Sequence, residues 1–346
     1  MSSKGIKGDH EFVSIIMVTY NSVNKLHEFF DEVLKSLINL DYDNYAVVIV
    51  DNNSGDSTIN HVKEMLRDLE MKGKVLIMKL GENKGLPYAY NAGAIIATRV
   101  FPETRYLLFM NDDVVLSKEL LNVLIRDLRE SCDAVQPVII HMNGHKEVGF
   151  RIGITGYVKP LNCKEIDCSA RFIRVPVISG AVFMVKKGAF FDIGMFDGKI
   201  FWGYDDVDFC WRLHKHGYTT CIAMETHAIH YGSATWGKEN PIKYYYNTRN
   251  HIYMFYKNHD FTHALLSTPV LLLEILRLLL WKVSRRDLRS IKAILSGIID
   301  GIRMAPLALM YSLTHKYSNS QLVKFDSAVD LEPILGGLYS RFKEGK

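Results

Sequence analysis

Short, almost unbroken apolar runs alternate with longer stretches of helical spacing through the first hundred or so residues. Val13 to Val18, Tyr45 to Val50, Val75 to Leu80 and Tyr106 to Met110 are rich in Val, Ile and Leu, the pattern of parallel strands covered on both faces. Between them, Asn24 to Leu40 sets Leu26, Phe29, Phe30, Val33, Leu34 and Leu37 at helical spacing, and Ser57 to Met71 does the same with Ile59, Val62, Met65, Leu66 and Leu69. Leu86 to Val100 completes a third unit. This alternation predicts an α/β fold around a Rossmann-like sheet, in which ligands sit beyond the carboxyl ends of the strands.

From about Ser131 the pattern turns mixed. Ala134 to His141, Arg171 to Val177 and Ala181 to Val185 read as β pieces, and Asp206 to His216 as a helix, so this stretch is the second half of the same domain. Beyond Lys243 the chain becomes helical. The apolar run Leu265 to Trp281 is short for a bilayer crossing, which takes ~20 apolar residues. Glu274, Arg277, Trp281 and Arg285 trace a narrow polar stripe along it. In the next segment Lys292, Ser296, Asp300 and Arg303 form the stripe, against Ile291, Ile294, Leu295, Ile298, Ile299 and Ile302. Both segments predict amphipathic helices lying in a membrane interface. A buried helical subdomain, or the contact face of a homo-oligomer, is the competing reading. The expected division is a flexible start at 1–10, a catalytic-type domain at 11–256 and a helical membrane-associating region at 257–346.

Composition narrows the class. The 346 residues are 48% hydrophobic and 23% charged, a globular balance. The net charge of +4 gives no footing for nucleic-acid binding. From Phe255 to Lys346 there are 13 basic and 8 acidic residues, so the positive excess lies in the helical tail, as suits a membrane surface. Cys132, Cys163, Cys168, Cys210 and Cys221 have neither zinc-site spacing nor the even count of a disulfide framework, and they read as reduced thiols, with a small loop closed by Cys163 and Cys168 as the lesser alternative. Met1 to Glu11 lacks the apolar stretch of a secretory signal. The expectation is a cytoplasmic protein held peripherally at the inner face of the cell membrane.

The strand ends carry the candidate chemistry. The first ends in Val18-Thr19-Tyr20-Asn21 and the second in Val50-Asp51-Asn52-Asn53-Ser54. An Asp there can accept hydrogen bonds from a base or ribose, and a Tyr can stack on the base, although the same residue types build ordinary turns. The fourth ends in Asn111-Asp112-Asp113, adjacent carboxylates suited to Mg2+ or Mn2+ completed by phosphate and water. Phe201 to Arg212 places Asp205, Asp206 and Asp208 at a helix start, with Asp208 four residues before Arg212 and therefore structural. A carboxylate there can take a proton from a hydroxyl, and Trp202 offers a flat face to a sugar. His230 is a further candidate metal ligand.

These motifs, taken in order with Asn83-Lys84-Gly85, Asn91-Ala92-Gly93, Ser179-Gly180-Ala181 and Arg249-Asn250, resemble glycosyltransferase family 2 over about Val13 to Tyr256. The nearest flavour is its rhamnosyl- and galactofuranosyl-transferase-like branch. The resemblance implies a GT-A fold with a mixed sheet and inverting transfer of a sugar from a nucleotide donor to a glycan or lipid-linked acceptor. By position it implies Thr19, Tyr20, Asn21, Asp51, Asn83 and Asp112 at the nucleotide sugar, and Asp113 and His230 at the metal. It implies Asp206 as general base, with Asp205 at a position more often glutamate so that the base is one or other of this pair, and Trp202 and Gly180 on the acceptor side. Asn111 departs from the usual acidic start of the metal motif. A nicotinamide-dependent oxidoreductase needs a glycine-rich turn after the first strand, which Thr19-Tyr20-Asn21-Ser22 lacks. The Walker loop and the basic glycine-rich loop of sugar nucleotidylyltransferases are absent too. The alternative is a non-catalytic membrane-associated glycan-binding or scaffolding protein built on the same domain.

Overall fold

The computed structural model describes residues 11–232 and 240–314; the expected flexible start at 1–10 and the tail at 315–346 lie outside the described residues. The strands are β1 (Phe12–Thr19), β2 (Tyr45–Asp51), β3 (Val75–Lys79), β4 (Thr104–Asn111), β5 (Val114–Leu116), β6 (Ala134–His141), β7 (Lys146–Glu147), β8 (Phe150–Ile152), β9 (Val158–Pro160), β10 (Phe172–Arg174), β11 (Val182–Lys186) and β12 (Thr220–His230). The helices are α1 (Ser22–Leu26), α2 (Glu28–Ile38), α3 (Thr58–Met65), α4 (Arg67–Met71), α5 (Leu86–Val100), α6 (Leu120–Glu130), α7 (Lys187–Asp192), α8 (Asp205–Lys215), α9 (Pro241–Asn258), α10 (Phe261–Ser284) and α11 (Leu288–Thr314).

The main sheet runs β10-β12-β6-β11-β4-β1-β2-β3, with β5 paired to β12 and β7 to β6. β4, β1, β2 and β3 are parallel, as the βα alternation requires. β11 enters antiparallel to β4, which makes the sheet mixed. Alternate residues feed opposite faces: Ile15 and Met17 pack with Phe30 and Leu34, and Ile16 and Val18 with Tyr90. The second face holds a cluster of rings, Phe109, Phe183, Phe190, Phe196 and Phe209. Phe196 and Phe209 stack at 4.6 Å, and such pairs add ~0.5–1.5 kcal/mol beyond their buried area.

Three expectations change. The two early helices are each broken; His27, at φ 50°, separates α1 from α2, and Leu66 caps α3 before α4. Apolar spacing continues across both breaks because the segments on either side still face the sheet. Cys132–Cys221 and Cys163–Cys168 are disulfides, and Cys210 alone is a buried thiol. The thiol reading failed because the sheet brings together Cys132 and Cys221, which lie 89 residues apart.

The third change concerns the tail. Helices α10 and α11 have 24 and 27 residues, long and apolar enough to cross a membrane by length and composition alone. Two positions of the polar stripes turn inward, where Thr155 Oγ1 donates to the buried Glu274 at 2.9 Å and Tyr245 OH donates to Asp300 at 2.8 Å, while Arg277, Arg285, Lys292 and Arg303 stay exposed. Gly297 and Gly301 let α11 lie directly on α9, since a Cβ at Gly297 would sit 2.6 Å from the Tyr245 carbonyl and one at Gly301 2.9 Å from Ile252 Cβ. The outer surface keeps Leu266, Leu272, Leu276, Leu280, Leu295, Ile299 and Ile302 exposed.

Candidate active site

The carboxyl ends of β1, β2 and β4 open into one cavity of about 100 Å³, lined among others by Tyr20, Asn83, Gly85, Asp112, Asp113 and Trp202. Five of the sequence candidates therefore share one space. The loop after β3 closes one side. Asn52 accepts from the Lys84 N–H at 3.0 Å, and Asn83 from the Gly85 N–H at 3.0 Å. Gly85 has φ 86°, and a Cβ there would sit 2.4 Å from the Phe201 carbonyl, so only glycine lets this loop meet the segment bearing Trp202.

Thr19, Asn21 and Asp51 do not line this cavity. Thr19 and Asp51 are fully buried. Asp51 accepts from Thr19 Oγ1 at 3.1 Å and from the Ser54 N–H at 2.9 Å. Asn21 Oδ1 accepts from the Gly55 N–H at 2.7 Å, and its own N–H donates to Ser54 Oγ. These three residues clamp the ends of β1 and β2 together and thereby aim Tyr20. Lys25 donates to the Tyr20 carbonyl at 2.6 Å and lies 4.2 Å from the Tyr20 ring centre.

The turn after β4 carries the acidic pair. Asp112 accepts from Ser22 Oγ and from the Tyr20 N–H. Burial, then the neighbouring Asp113 charge, push its carboxyl up to about 6. Asn111 accepts from Tyr90 OH at 2.9 Å, which gives the non-acidic start of the motif a structural partner. Asp113 is also buried, with Oδ1 3.3 Å from His230 Nε2 on β12. Burial opposes protonation of His230, but Asp113 and then Glu147 hold its pKa above the usual value.

Among the described residues no three His, Cys, Asp or Glu side chains form a metal-binding group. Asp113 and His230 nevertheless meet as an ion pair, and beyond that contact Asp113 Oδ1 and His230 Nδ1 are buried with no hydrogen-bond partner among the described residues. One carboxylate and one imidazole fit a divalent ion that takes its remaining ligands from phosphate and water.

The second acidic pair opens α8. Asn250 on α9 donates to the carbonyls of Trp202 and Gly203 at 2.8 and 2.9 Å, fixing the turn before Asp205. Asp206 Oδ2 accepts from the Gly180 N–H at 3.1 Å and Oδ1 from the Val207 N–H at 2.8 Å. Burial raises the Asp206 pKa, and burial with the Asp206 charge pushes Asp205 up to about 7. The buried Tyr90 phenol is raised by burial and by the charges of Asp205, Asp112 and Asp113, so the two acidic pairs surround one tyrosine. Asp208 points away from them, ion-paired with Arg212 at 2.8 Å as its spacing predicts.

Two neighbours are absent from the sequence reading. His141 Nε2 lies 3.3 Å from Glu147 Oε2, and the His141 ring lies 5.3 Å from that of His230. Glu147 Oε1 is buried without a partner among the described residues. His141 ends β6, so the strand-end rule extends to it; Glu147 follows a turn, and periodicity gives it no mark.

The family model described as Glycosyl transferase family 2 matches residues 14–194. The dTDP-rhamnosyl transferase RfbF of Shigella flexneri is 25% identical over 300 residues, covering 83% of this chain and 94% of the relative. The poly-beta-1,6-N-acetyl-D-glucosamine synthase of Staphylococcus epidermidis is 23% identical over 221 residues, 62% of this chain. The chain spans 49% of that synthase, about half its length. Among solved structures, GalNAc-T7 with UDP, GalNAc and Mn2+ superposes with a TM-score of 0.57 at 16% identity, covering 71% of this chain and 48% of the other. The mannosyltransferase PcManGT from Pyrobaculum calidifontis, in complex with GDP-Man and Mn2+, gives 0.51 at 15% identity, covering 96% and 82%. These superpositions establish the GT-A fold. With the family match taking in just over half of its 346 residues, and the acidic strand ends where that fold opens, the chain belongs to glycosyltransferase family 2.

Proposed function

We propose that the chain is a metal-dependent, inverting glycosyltransferase moving a sugar from a nucleoside-diphosphate donor to a hydroxyl of a glycan or lipid-linked acceptor. The observation that carries this reading is the single cavity in which Tyr20, Asn83, Asp112, Asp113 and Trp202 meet, with Asp205 and Asp206 opening the helix just beyond Trp202. The printed names of the rhamnosyl transferase and the poly-N-acetylglucosamine synthase favour assembly of a polysaccharide.

In this reading Tyr20 stacks on the base, Asn83 and Asp112 meet the ribose and sugar, and Thr19, Asn21 and Asp51 hold Tyr20 in place. Asp113 and His230 would hold Mn2+ or Mg2+, which supplies positive charge for the leaving diphosphate. Asp206 takes the proton of the attacking hydroxyl. Its raised pKa makes it a better base near neutrality, and two backbone N–H donors keep it oriented. Gly180 and Trp202 face the acceptor, and a single displacement inverts the anomeric centre.

The apolar outer surface of α10 and α11 supports peripheral attachment at the inner face of the cell membrane. A reducing compartment would open the surface pair Cys163–Cys168 before the fully buried Cys132–Cys221.

The test is a panel of nucleotide sugars with Mn2+ and candidate acceptors, read as nucleoside-diphosphate release. The expected result is release with one donor, loss on chelation, restoration by Mn2+, and no Mn2+-dependent donor binding in Asp113→Ala. Release that is indifferent to chelation removes the metal from the reading, and no release with any pair removes the transfer.

A further inference from the structure

Resting on the metal-dependent reading above, we propose that Glu147, aligned by His141, is the positioning carboxylate that holds the His230 imidazole in the orientation in which it takes the divalent ion.

The sheet sets the four groups in a row. β5, β12, β6 and β7 are successive neighbours. His230 on β12 is in register with Val114 of β5, next to Asp113, and on its other side with His141 of β6. The Tyr231 N–H donates to the Asp113 carbonyl at 3.0 Å and fixes the first of these joints. β7 then folds back along β6 with Glu147 opposite Ile139, two residues before His141 and therefore on the same face. Sheet pairing alone thus brings two further polar side chains up behind the ligand pair.

The contacts give the row its direction. Asp113 Oδ1 and His230 Nε2 are 3.3 Å apart, close to the ~3 Å edge of an octahedron whose ligands lie ~2.1 Å from the ion. With Nε2 turned to Asp113, Nδ1 is the nitrogen left over, and it is buried with no hydrogen-bond partner among the described residues. Glu147 carries the complement. Its Oε1 is buried and likewise unpartnered among the described residues, while Oε2 lies 3.3 Å from His141 Nε2. The Glu147 charge reaches His230: burial opposes protonation of that ring, and Asp113 and then Glu147 favour it. The His141 ring lies 5.3 Å from the His230 ring at 47°, a tilted contact that restricts rotation of the imidazole. A metal-bound imidazole donates its other N–H, and a carboxylate that receives it, directly or through one water, fixes the tautomer and strengthens the ligand. Among the described residues Glu147 does not join Asp113 and His230 in a three-membered ligand group, so it stands behind the imidazole and outside the ion's own shell.

The experiment titrates the full chain with Mn2+ alone. Electron paramagnetic resonance reads the free ion, and nitrogen modulation of the bound ion's spin echo reports imidazole coordination. The expected result is nitrogen modulation in the wild type and its loss in His230→Phe. Glu147→Ala should weaken Mn2+ binding roughly ten- to hundredfold and diminish the nitrogen signal. Glu147→Gln keeps an acceptor oxygen and should restore the signal with most of the affinity, and His141→Ala should cost a smaller factor. Without metal, Glu147→Ala should melt no lower than wild type, because it removes a buried oxygen that has no partner. A lowered metal-free Tm with an intact nitrogen signal would make Glu147 merely structural and overturn the proposal. Wild-type Mn2+ affinity in Glu147→Ala overturns it as well. So does weakened binding with an unchanged nitrogen signal, which would make Glu147 a ligand, and so does bound Mn2+ without nitrogen modulation in the wild type, which removes His230 from the site. Mn2+-dependent binding of the nucleotide-sugar panel is measured on the same samples. A chain that gives the expected Mn2+ results but takes no nucleotide sugar keeps this assignment and loses the transfer reading.

Discussion

The Gly180 N–H donates to Asp206 Oδ2 at 3.1 Å, tying the loop before β11 to the first turn of α8. Asp206 Oδ1 is held in the same way by Val207, so the carboxylate is fixed by main chain at both oxygens while its own residue stays partly open. A general base contributes ~10²- to 10⁴-fold. Asp206→Asn is accordingly expected to lower kcat by that factor and to leave the donor Kd within about twofold. A parallel loss of donor affinity, measured by calorimetry, would make Asp206 a structural residue.

Asp205 gives a pH signature. Its folded-state pKa is pushed up to about 7 by burial and by Asp206, above the ~3.9 of an unfolded Asp. The folded protein thus binds more protons than the unfolded chain between these values, and the contribution of Asp205 to stability is lost as pH rises from about 4 through 7. Asp205→Asn, which carries no charge at any pH, should melt several degrees above wild type at pH 8, with the gap closing toward pH 4. Equal melting temperatures at pH 8 would contradict the buried-pair geometry.

How much of this was legible in sequence depends on the interaction involved. Strand runs such as Tyr45 to Val50 were readable because burial on both faces leaves an unbroken apolar word, and the Asp208–Arg212 pair because four residues bring side chains onto one helix face. Asp51 and Asp112 look alike in sequence, each a carboxylate at a strand end. Only the fold shows Asp51 turned into Thr19 and Ser54 while Asp112 lines the cavity. Helical periodicity marked a polar stripe through Glu274 correctly but gave no indication of what it faces, since a carboxylate in headgroups and one bonded to Thr155 share the same spacing. The Cys132–Cys221 bond depends on sheet order, which no local window contains, whereas Glu147 meets His141 across the short turn between β6 and β7, a contact that hydrophobic periodicity does not mark.

The buried charges behind α8 are a stability element. Asp208 accepts from Arg212 Nε at 2.9 Å, Lys257 Nζ at 2.9 Å and Asn258 Nδ2 at 2.8 Å. Burial works against its charge, and Arg212 and Lys257 outweigh it, holding the carboxyl well below the usual range. Removing one partner of such a group costs about 3–5 kcal/mol. Lys257→Met should therefore lower Tm by roughly 4–7 °C at pH 7. The stabilisation from a depressed carboxylate is present above the unfolded pKa and is lost as pH falls through the folded one, so the Lys257→Met deficit should shrink in melts taken toward pH 2. A constant deficit at all pH values would assign the effect to packing alone.

The outer face of the C-terminal helices has to be tested without removing them. Gly297 and Gly301 seat α11 on α9, and α9 in turn holds the turn before Asp205 through Asn250, so truncation would expose buried Ile252 and Phe255 and disturb the active site together with any membrane contact. Leu276 and Ile299 are exposed, and changing both to Glu leaves this packing alone. If that surface enters a lipid interface, each carboxylate opposes insertion while repelling anionic headgroups, and Leu276→Glu with Ile299→Glu should abolish flotation with anionic vesicles at an unchanged Tm. Raised salt should weaken wild-type flotation as well, because Arg285, Arg286, Arg289 and Lys292 each contribute ~1 kcal/mol near anionic lipid, and that attraction is screened within about a Debye length. A double variant that floats like wild type would mean that the exposed leucines serve a protein contact, leaving the basic cluster as the only route to the membrane.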